Sequence, residues 1–269
     1  MAEFPTAIND HVAQALQRLD EGDVRGAALC LEVAVAKSPE SRLAWNNLGC
    51  VYLRLDRTQH AIDAFIEALA RFPDDPRIQA HLGYALIRAG DLEGAGALLE
   101  AAGRSLPEDE EVLNYRGLLY SFTGKAEEAV RILEPLCREH PDRVEYWNNL
   151  GCALRHAERL PDAVEAFRAL VRRFPDDVDG RVNLGCALQA SGNLDAASTQ
   201  FREAIRLCPE ESLAHYNLGV CRMMDGDREE AAAHLEGFLR LAPRSAKRVQ
   251  VEEWLAGLRG RAEPVGAGR

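Results

Sequence analysis

Aromatic residues are scarce, at 6% of the 269-residue chain, and β-branched residues are sparse beside alanine and leucine. That balance disfavours sheets and points to helices. There is no apolar run approaching the ~18 residues that a membrane-spanning helix requires. The opening MAEFPTAINDHVAQ lacks a basic region followed by an apolar stretch, so no export signal is expected. Cations are outnumbered, 32 Lys and Arg against 43 Asp and Glu, for a net charge of −11. A phosphate backbone needs clustered cations, so neither nucleic acid nor a membrane is an expected partner. These absences together imply a cytoplasmic protein. What is present excludes disorder: 47% hydrophobic and only 28% charged residues can build a core. The length allows one large domain or two of roughly 150 residues.

A strict period runs through the chain. Pro39, Pro73, Pro107, Pro141, Pro175, Pro209 and Pro243 are each 34 residues apart. Gly49, Gly83, Gly117, Gly151, Gly185 and Gly219 keep the same step, as do alanines from Ala27 through Ala61 and Ala95 to Ala231. Units therefore begin at Ile8, Arg42, Pro76, Glu110, Val144, Val178 and Ser212. Each holds two amphipathic stretches at helical spacing, such as Ala61, Phe65, Ala68 and Leu69. Gly22, Gly90, Gly124, Gly192 and Gly226 sit where a first helix should end. Asp23, Asp91, Asn193 and Asp227 follow as caps for a second. The closing proline stops that second helix.

This pattern resembles the tetratricopeptide repeat family. The second unit carries Trp45, Leu48, Gly49, Tyr52, Ala61, Phe65, Ala68 and Pro73 at the motif's positions. The fifth carries Trp147, Leu150, Gly151, Leu154, Ala163, Phe167, Leu170 and Pro175. The resemblance implies an all-α, right-handed α-solenoid of seven helix-turn-helix repeats over residues 8–245. Stacked units shield one another's apolar faces, so end units should depart from the pattern. The first does, with Gln14 and Ala15 in place of Leu-Gly and His11 at the large-residue position. Val249, Val251, Trp254, Leu255 and Leu258 mark a C-terminal capping helix over 246–260. Residues 1–7 and 261–269 are expected as tails, the latter disordered.

Chemical motifs are decoys. Gly117 through Gly124 and Lys125 has the wrong spacing for a phosphate loop, and Ala126 stands where a hydroxyl is needed. Gly94 and Gly96 read as helix weakeners of roughly 1 kcal/mol each relative to alanine. The seven cysteines form no C-x-x-C pair. Cys50, Cys152 and Cys186 share the ninth repeat position and read as half-buried packing residues. The histidines lack zinc spacing, and no nucleophilic constellation is evident in the sequence. The expectation is no enzyme, no cofactor and no metal.

By resemblance, the first helices should line a concave groove, with the second, fifth, sixth, ninth, twelfth and thirteenth positions pointing inward. The sixth positions are Ala13, Asn47, His81, Tyr115, Asn149, Asn183 and Asn217, and the fifth include Asn46, Asn114 and Asn148. Amides both donate and accept, so this column is similar to the asparagine ladders that hold extended peptides in long repeats of this kind. Tyr84, Phe122 and Tyr216 add aromatic anchors. Arg54, Arg77, Arg88 and Arg155 also map inward, opposed by Asp20, Glu111, Glu145 and Asp179. Arg54, Arg77 and Arg88 read either as the seat for a partner segment with an acidic end or as an ordinary solvated charge pattern. The lysines of a chaperone carboxylate clamp are missing from the fifth positions.

The expected function is a non-catalytic scaffold that binds a protein or peptide segment in the groove. The alternatives are a self-assembling scaffold (a homo-oligomer built through the convex face or the cap) and a non-catalytic subunit of an enzyme complex. Pro135 inside a second helix, glycines at 94, 96 and 103, and Arg116 in place of a packing leucine make repeats three and four the softest region. Amide hydrogen exchange should therefore run faster there than in repeats five and six; equal protection would contradict the expectation.

Overall fold

The computed structural model describes residues 6–260, with side chains from residue 10 onward. Residues 1–5 of the expected N-terminal tail and the whole 261–269 tail lie outside the described residues, while Thr6 and Ala7 already belong to a helix. Seven hairpins follow one another. They are α1 (Thr6–Asp20) with α2 (Val24–Lys37), α3 (Arg42–Arg54) with α4 (Thr58–Arg71), α5 (Pro76–Ala89) with α6 (Leu92–Ser105), and α7 (Glu110–Phe122) with α8 (Ala126–Glu139). Then come α9 (Val144–His156) with α10 (Leu160–Arg173), α11 (Val178–Ala190) with α12 (Leu194–Leu207), and α13 (Ser212–Met224) with α14 (Arg228–Leu241). A last helix, α15, spans Arg248–Gly260, and no strand occurs among the described residues.

The chain divides into two compact units, residues 1–136 and 137–269, and the division falls inside α8 just past Pro135. Proline has no N–H to give to the carbonyl one turn back, so α8 lacks one of its own hydrogen bonds there. Within each unit every hairpin packs on the next, and odd-numbered helices also meet one another: α3 with α5 and α5 with α7, then α9 with α11 and α11 with α13. Each unit is thus an all-α solenoid stack whose odd-numbered helices form one layer.

One contact recurs in six hairpins. A Cβ added to Gly49 would lie 2.4 Å from the Phe65 ring, and one on Gly83 would lie 2.7 Å from Leu99. Gly117 meets Leu133, Gly151 meets Phe167, Gly185 meets Phe201 and Gly219 meets Leu235 in the same way. Each partner sits sixteen residues beyond its glycine and is buried. The side chain of the second helix therefore rests directly on the backbone of the first, and no larger residue fits between them.

The turns repeat as closely. Positive φ occurs at Gly22, Asp56, Gly90, Gly124, Glu158, Gly192 and Gly226, one per hairpin at intervals of 34. Asp56 and Glu158 adopt the left-handed conformation without a glycine, with φ of 57° and 59°, which costs roughly 1 kcal/mol or more apiece. The expected caps form: Asp23, Asp91, Asn193 and Asp227 accept hydrogen bonds from the backbone N–H of Gly26, Gly94, Ala196 and Glu230. At the C-terminal end, Val251 and Leu255 of α15 are buried against Leu235 and Phe238, with Trp254 and Leu258 half-buried beside them. Val249 is 65% exposed, so it faces water and takes no part in that packing, contrary to the reading from its spacing.

The irregular glycines have separate causes. A Cβ on Gly94 would meet the Asp91 cap at 2.6 Å, so this glycine accommodates the cap. Gly103 leaves room for Arg116, whose Cδ would lie 3.2 Å from a Cβ there. The small residue on α6 and the oversized one on α7 compensate each other. Only Gly96 is open, with its nearest neighbour Leu119 at 3.9 Å. Gly49→Ala should thus destabilise the protein by about 1–3 kcal/mol through overpacking, whereas Gly96→Ala should stabilise it by about 0.5–1 kcal/mol. Urea unfolding of both variants checks the contrast; equal shifts would refute the glycine-contact account.

Candidate binding site

Two offsets govern how one odd-numbered helix meets the next. Residues 35 apart bond between a fifth position and the following sixth: Asn46 Oδ1 lies 2.7 Å from His81 Nδ1, and Asn183 Nδ2 donates to Asn148 Oδ1 at 3.1 Å. Residues 31 apart bond between a ninth position and the following sixth: Cys50 Sγ lies 3.8 Å from His81 Nδ1, and Asn217 Nδ2 donates to Cys186 Sγ at 3.5 Å. The amide column is therefore largely spent on rungs within the protein. Asn114 is buried, at 6% exposure, and so is closed to any ligand. Asn47 is half-buried, and Asn149 already has a partner within the protein.

The first unit brings five of the expected groove residues together. A cavity of about 420 Å³ is lined by Cys50, Leu53 and Arg54 from α3, by His81, Tyr84 and Arg88 from α5, and by Glu111 and Tyr115 from α7. Tyr84 and Tyr115 stack with centroids 4.6 Å apart and planes 12° from parallel. The His81 ring meets Tyr115 edge-on at 6.1 Å. Arg88 donates to the Leu53 carbonyl at 2.9 Å and to Asp56 Oδ1 at 2.5 Å. The strained Asp56 turn thus fixes this guanidinium. Arg54 is exposed and has no ion-pair partner among the described residues. Arg77 lies apart, 3.6 Å from Asp109 and beside a smaller cavity between α3 and α5.

His81 is the buried charge of this site, at 8% exposure. Its Nδ1 faces the Asn46 carbonyl oxygen and its Nε2 faces Glu111 Oε2 at 3.4 Å. Both partners can accept a hydrogen bond, an arrangement that favours the doubly protonated ring. Burial by itself lowers the pKa, but the contacts with Cys50 and Glu111 outweigh it and raise the value to about 10.

The second unit offers less. Arg155 is exposed on α9 beside Cys152, whose pKa burial pushes up. Tyr216 stacks on Trp254 at 6.1 Å, touches Phe238 at 5.2 Å and lies under the Lys247 ammonium at 4.7 Å. It is committed to the packing of α14 and α15. Phe122, at the end of α7, is 52% exposed. Among the described residues no group of three His, Cys, Asp or Glu is placed to hold a metal, and no helix is long and apolar enough to cross a membrane. The Cys50–His81–Glu111 grouping was missed in the sequence, although the 31-residue offset locates its first two members.

A tetratricopeptide repeat family model matches residues 12–65, 48–110, 116–178 and 182–246. Among solved structures, a tetratricopeptide repeat protein from Parabacteroides merdae is 17% identical with a TM-score of 0.67, over 93% of this chain and 98% of that one. A human IFIT1 dimer with PPP-AAAA is 18% identical with a TM-score of 0.75, over 88% of this chain and 59% of that one. The APC/C hetero-tetramer Cut9-Hcn1 is 15% identical with a TM-score of 0.71, over 93% of this chain and 52% of that one. This chain therefore spans little more than half the length of the last two, and the likeness to all three is one of fold. No curated protein matches it in sequence.

A raised histidine pKa has a definite sign. The stabilisation is full below the unfolded value of ~6.5 and is lost as pH climbs toward about 10. Wild-type stability should therefore fall between neutral and strongly alkaline pH, and His81→Asn should flatten that part of the profile. NMR titration of the ring is the direct check; deprotonation near pH ~6.5 would overturn the imidazolium assignment.

Proposed function

Because the chain belongs to the tetratricopeptide repeat family, we propose that it is a non-catalytic interaction scaffold whose odd-numbered helices hold an extended segment of a partner protein. The cavity between α3, α5 and α7 supports this reading above all other features. Its lining carries Arg54, Arg88 and His81 against a single carboxylate, Glu111, in a chain of net charge −11. The stacked tyrosines form a rigid aromatic wall beside those cations. A partner segment would place an acidic side chain at Arg54 and an apolar or aromatic neighbour on Tyr84 and Tyr115.

The three-arginine anchor is thereby narrowed. Arg77 and Arg88 are engaged by Asp109 and Asp56, which leaves Arg54 as the group with charge to offer. Asn47 and Asn183 can add hydrogen bonds to a peptide backbone within their own units. The IFIT1 structure is one with PPP-AAAA, which makes nucleic acid the reading to test against. The acid excess favours a protein segment.

Selection from a random peptide library on the immobilised protein tests the proposal. Enriched sequences should pair an acidic residue with an aromatic or apolar one. Combining Arg54→Ala with Tyr84→Ala should weaken their binding by about 2 kcal/mol or more, some thirtyfold. A selection without enrichment, or binding indifferent to both substitutions, would refute it.

A further inference from the structure

Cys50, Cys152 and Cys186 occupy the same position in their repeats but meet different neighbours. Cys186 accepts a hydrogen bond from the Asn217 amide, and burial raises its pKa. Cys152 is likewise held in its thiol form by burial, and the residue 31 positions further on is Asn183. Only for Cys50 is that residue a histidine. Its sulfur lies 3.8 Å from Nδ1 of an imidazolium whose other nitrogen is held by Glu111. A nearby imidazolium favours the thiolate form of a cysteine and so its nucleophilicity.

The surroundings admit a reagent. Cys50 is half-buried and forms part of the wall of the 420 Å³ cavity. The charged and titratable groups lining the cavity with it are Arg54 on its own helix, His81, Tyr84 and Arg88 on α5, and Glu111 with Tyr115 on α7. Cations outnumber the carboxylate, and Arg54 has no ion-pair partner among the described residues. A small molecule bearing carboxylates is therefore drawn in, while a cationic one is opposed.

We propose that Cys50 is the reactive one of the three ninth-position thiols, set by His81 and Glu111 to form a mixed disulfide with a small anionic disulfide in the α3–α5–α7 cavity. The Cys50 thiolate attacks one sulfur of the reagent, a new S–S bond forms and the old one breaks. The departing thiolate takes up the proton that Cys50 has lost. Cys50 is oxidised, half of the reagent is reduced, and no other oxidant is needed. The reaction is stoichiometric, so it does not make the protein an enzyme. It is independent of the scaffold reading, because it requires no protein partner.

The test uses the full chain with two probes, glutathione disulfide (anionic) and cystamine (cationic), and peptide mass spectrometry to time modification at each cysteine. With glutathione disulfide, Cys50 should react at least ~10-fold faster than Cys152 and Cys186. At low salt it should favour glutathione disulfide over cystamine, and Arg54→Ala should narrow that preference. His81→Gln and Glu111→Gln should each slow Cys50 by about tenfold and move its rate profile to higher pH. Glu111 is 44% exposed on its side chain, so the second variant serves even where the buried His81 substitution disturbs folding. Cys50 reacting no faster than Cys152 and Cys186, cystamine outpacing glutathione disulfide, or a pH profile unmoved in both variants would each overturn the proposal.

Discussion

The contact between a bare glycine backbone and a large side chain sixteen residues later sets the geometry of each hairpin. At Gly49, Gly151 and Gly185 that side chain is a phenylalanine ring, and at Gly83, Gly117 and Gly219 it is a leucine. Both fill the place of a missing Cβ, with an added Cβ meeting the ring or the leucine at 2.4–2.8 Å in every case. A uniform hairpin places successive odd-numbered helices of a unit in a uniform register. That register explains the two cross-helix offsets. They are 31 and 35, which differ by four residues, about one helical turn. Two residues one turn apart on a helix therefore converge on a single residue of the next. Asn46 and Cys50 converge on His81 in this way. The site is a consequence of the packing, not an addition to it.

Much of this was readable in advance because it depends on spacing. The period of 34, the glycine-ended first helices and the acidic or amide caps follow from the chain's own repetition, and the helices lie where that repetition puts them. Arg54, His81, Tyr84, Arg88 and Tyr115 were singled out by position alone, and one cavity contains all five. What position cannot reveal is how a side chain is already employed. Asn183 donates to Asn148, Arg88 is held by Asp56 and a carbonyl, and Tyr216 is covered by Trp254. Each of these partners comes from a neighbouring repeat or from the cap. A motif read one repeat at a time has no term for them.

The departures from the repeat are informative for the same reason. Arg116 and Gly103 each break a helix rule alone, yet the glycine gives the arginine stem its space. Asp56 breaks the turn rule by taking a left-handed conformation where five other turns use glycine. A glycine would relieve the strain but could not hold the Arg88 guanidinium at the cavity edge. Strain at Asp56 and charge placement at Arg88 are thus coupled. Glu158 takes the same backbone conformation, and nothing in the structure explains why it is retained there.

The three ninth-position cysteines show how far one neighbour can change a residue that the repeat holds constant. All three sit on equivalent turns of equivalent helices, half-buried and unpaired. Cys186 meets the uncharged Asn217 amide, and burial raises the pKa of both Cys152 and Cys186. The third faces a ring held in its charged form by a carbonyl on one side and a carboxylate on the other. A substitution at the sixth position of one repeat therefore acts on the chemistry of the repeat before it. In a stacked protein a side chain's surroundings are set at the junction between neighbouring repeats, and His81 distinguishes this junction from those at Asn183 and Asn217.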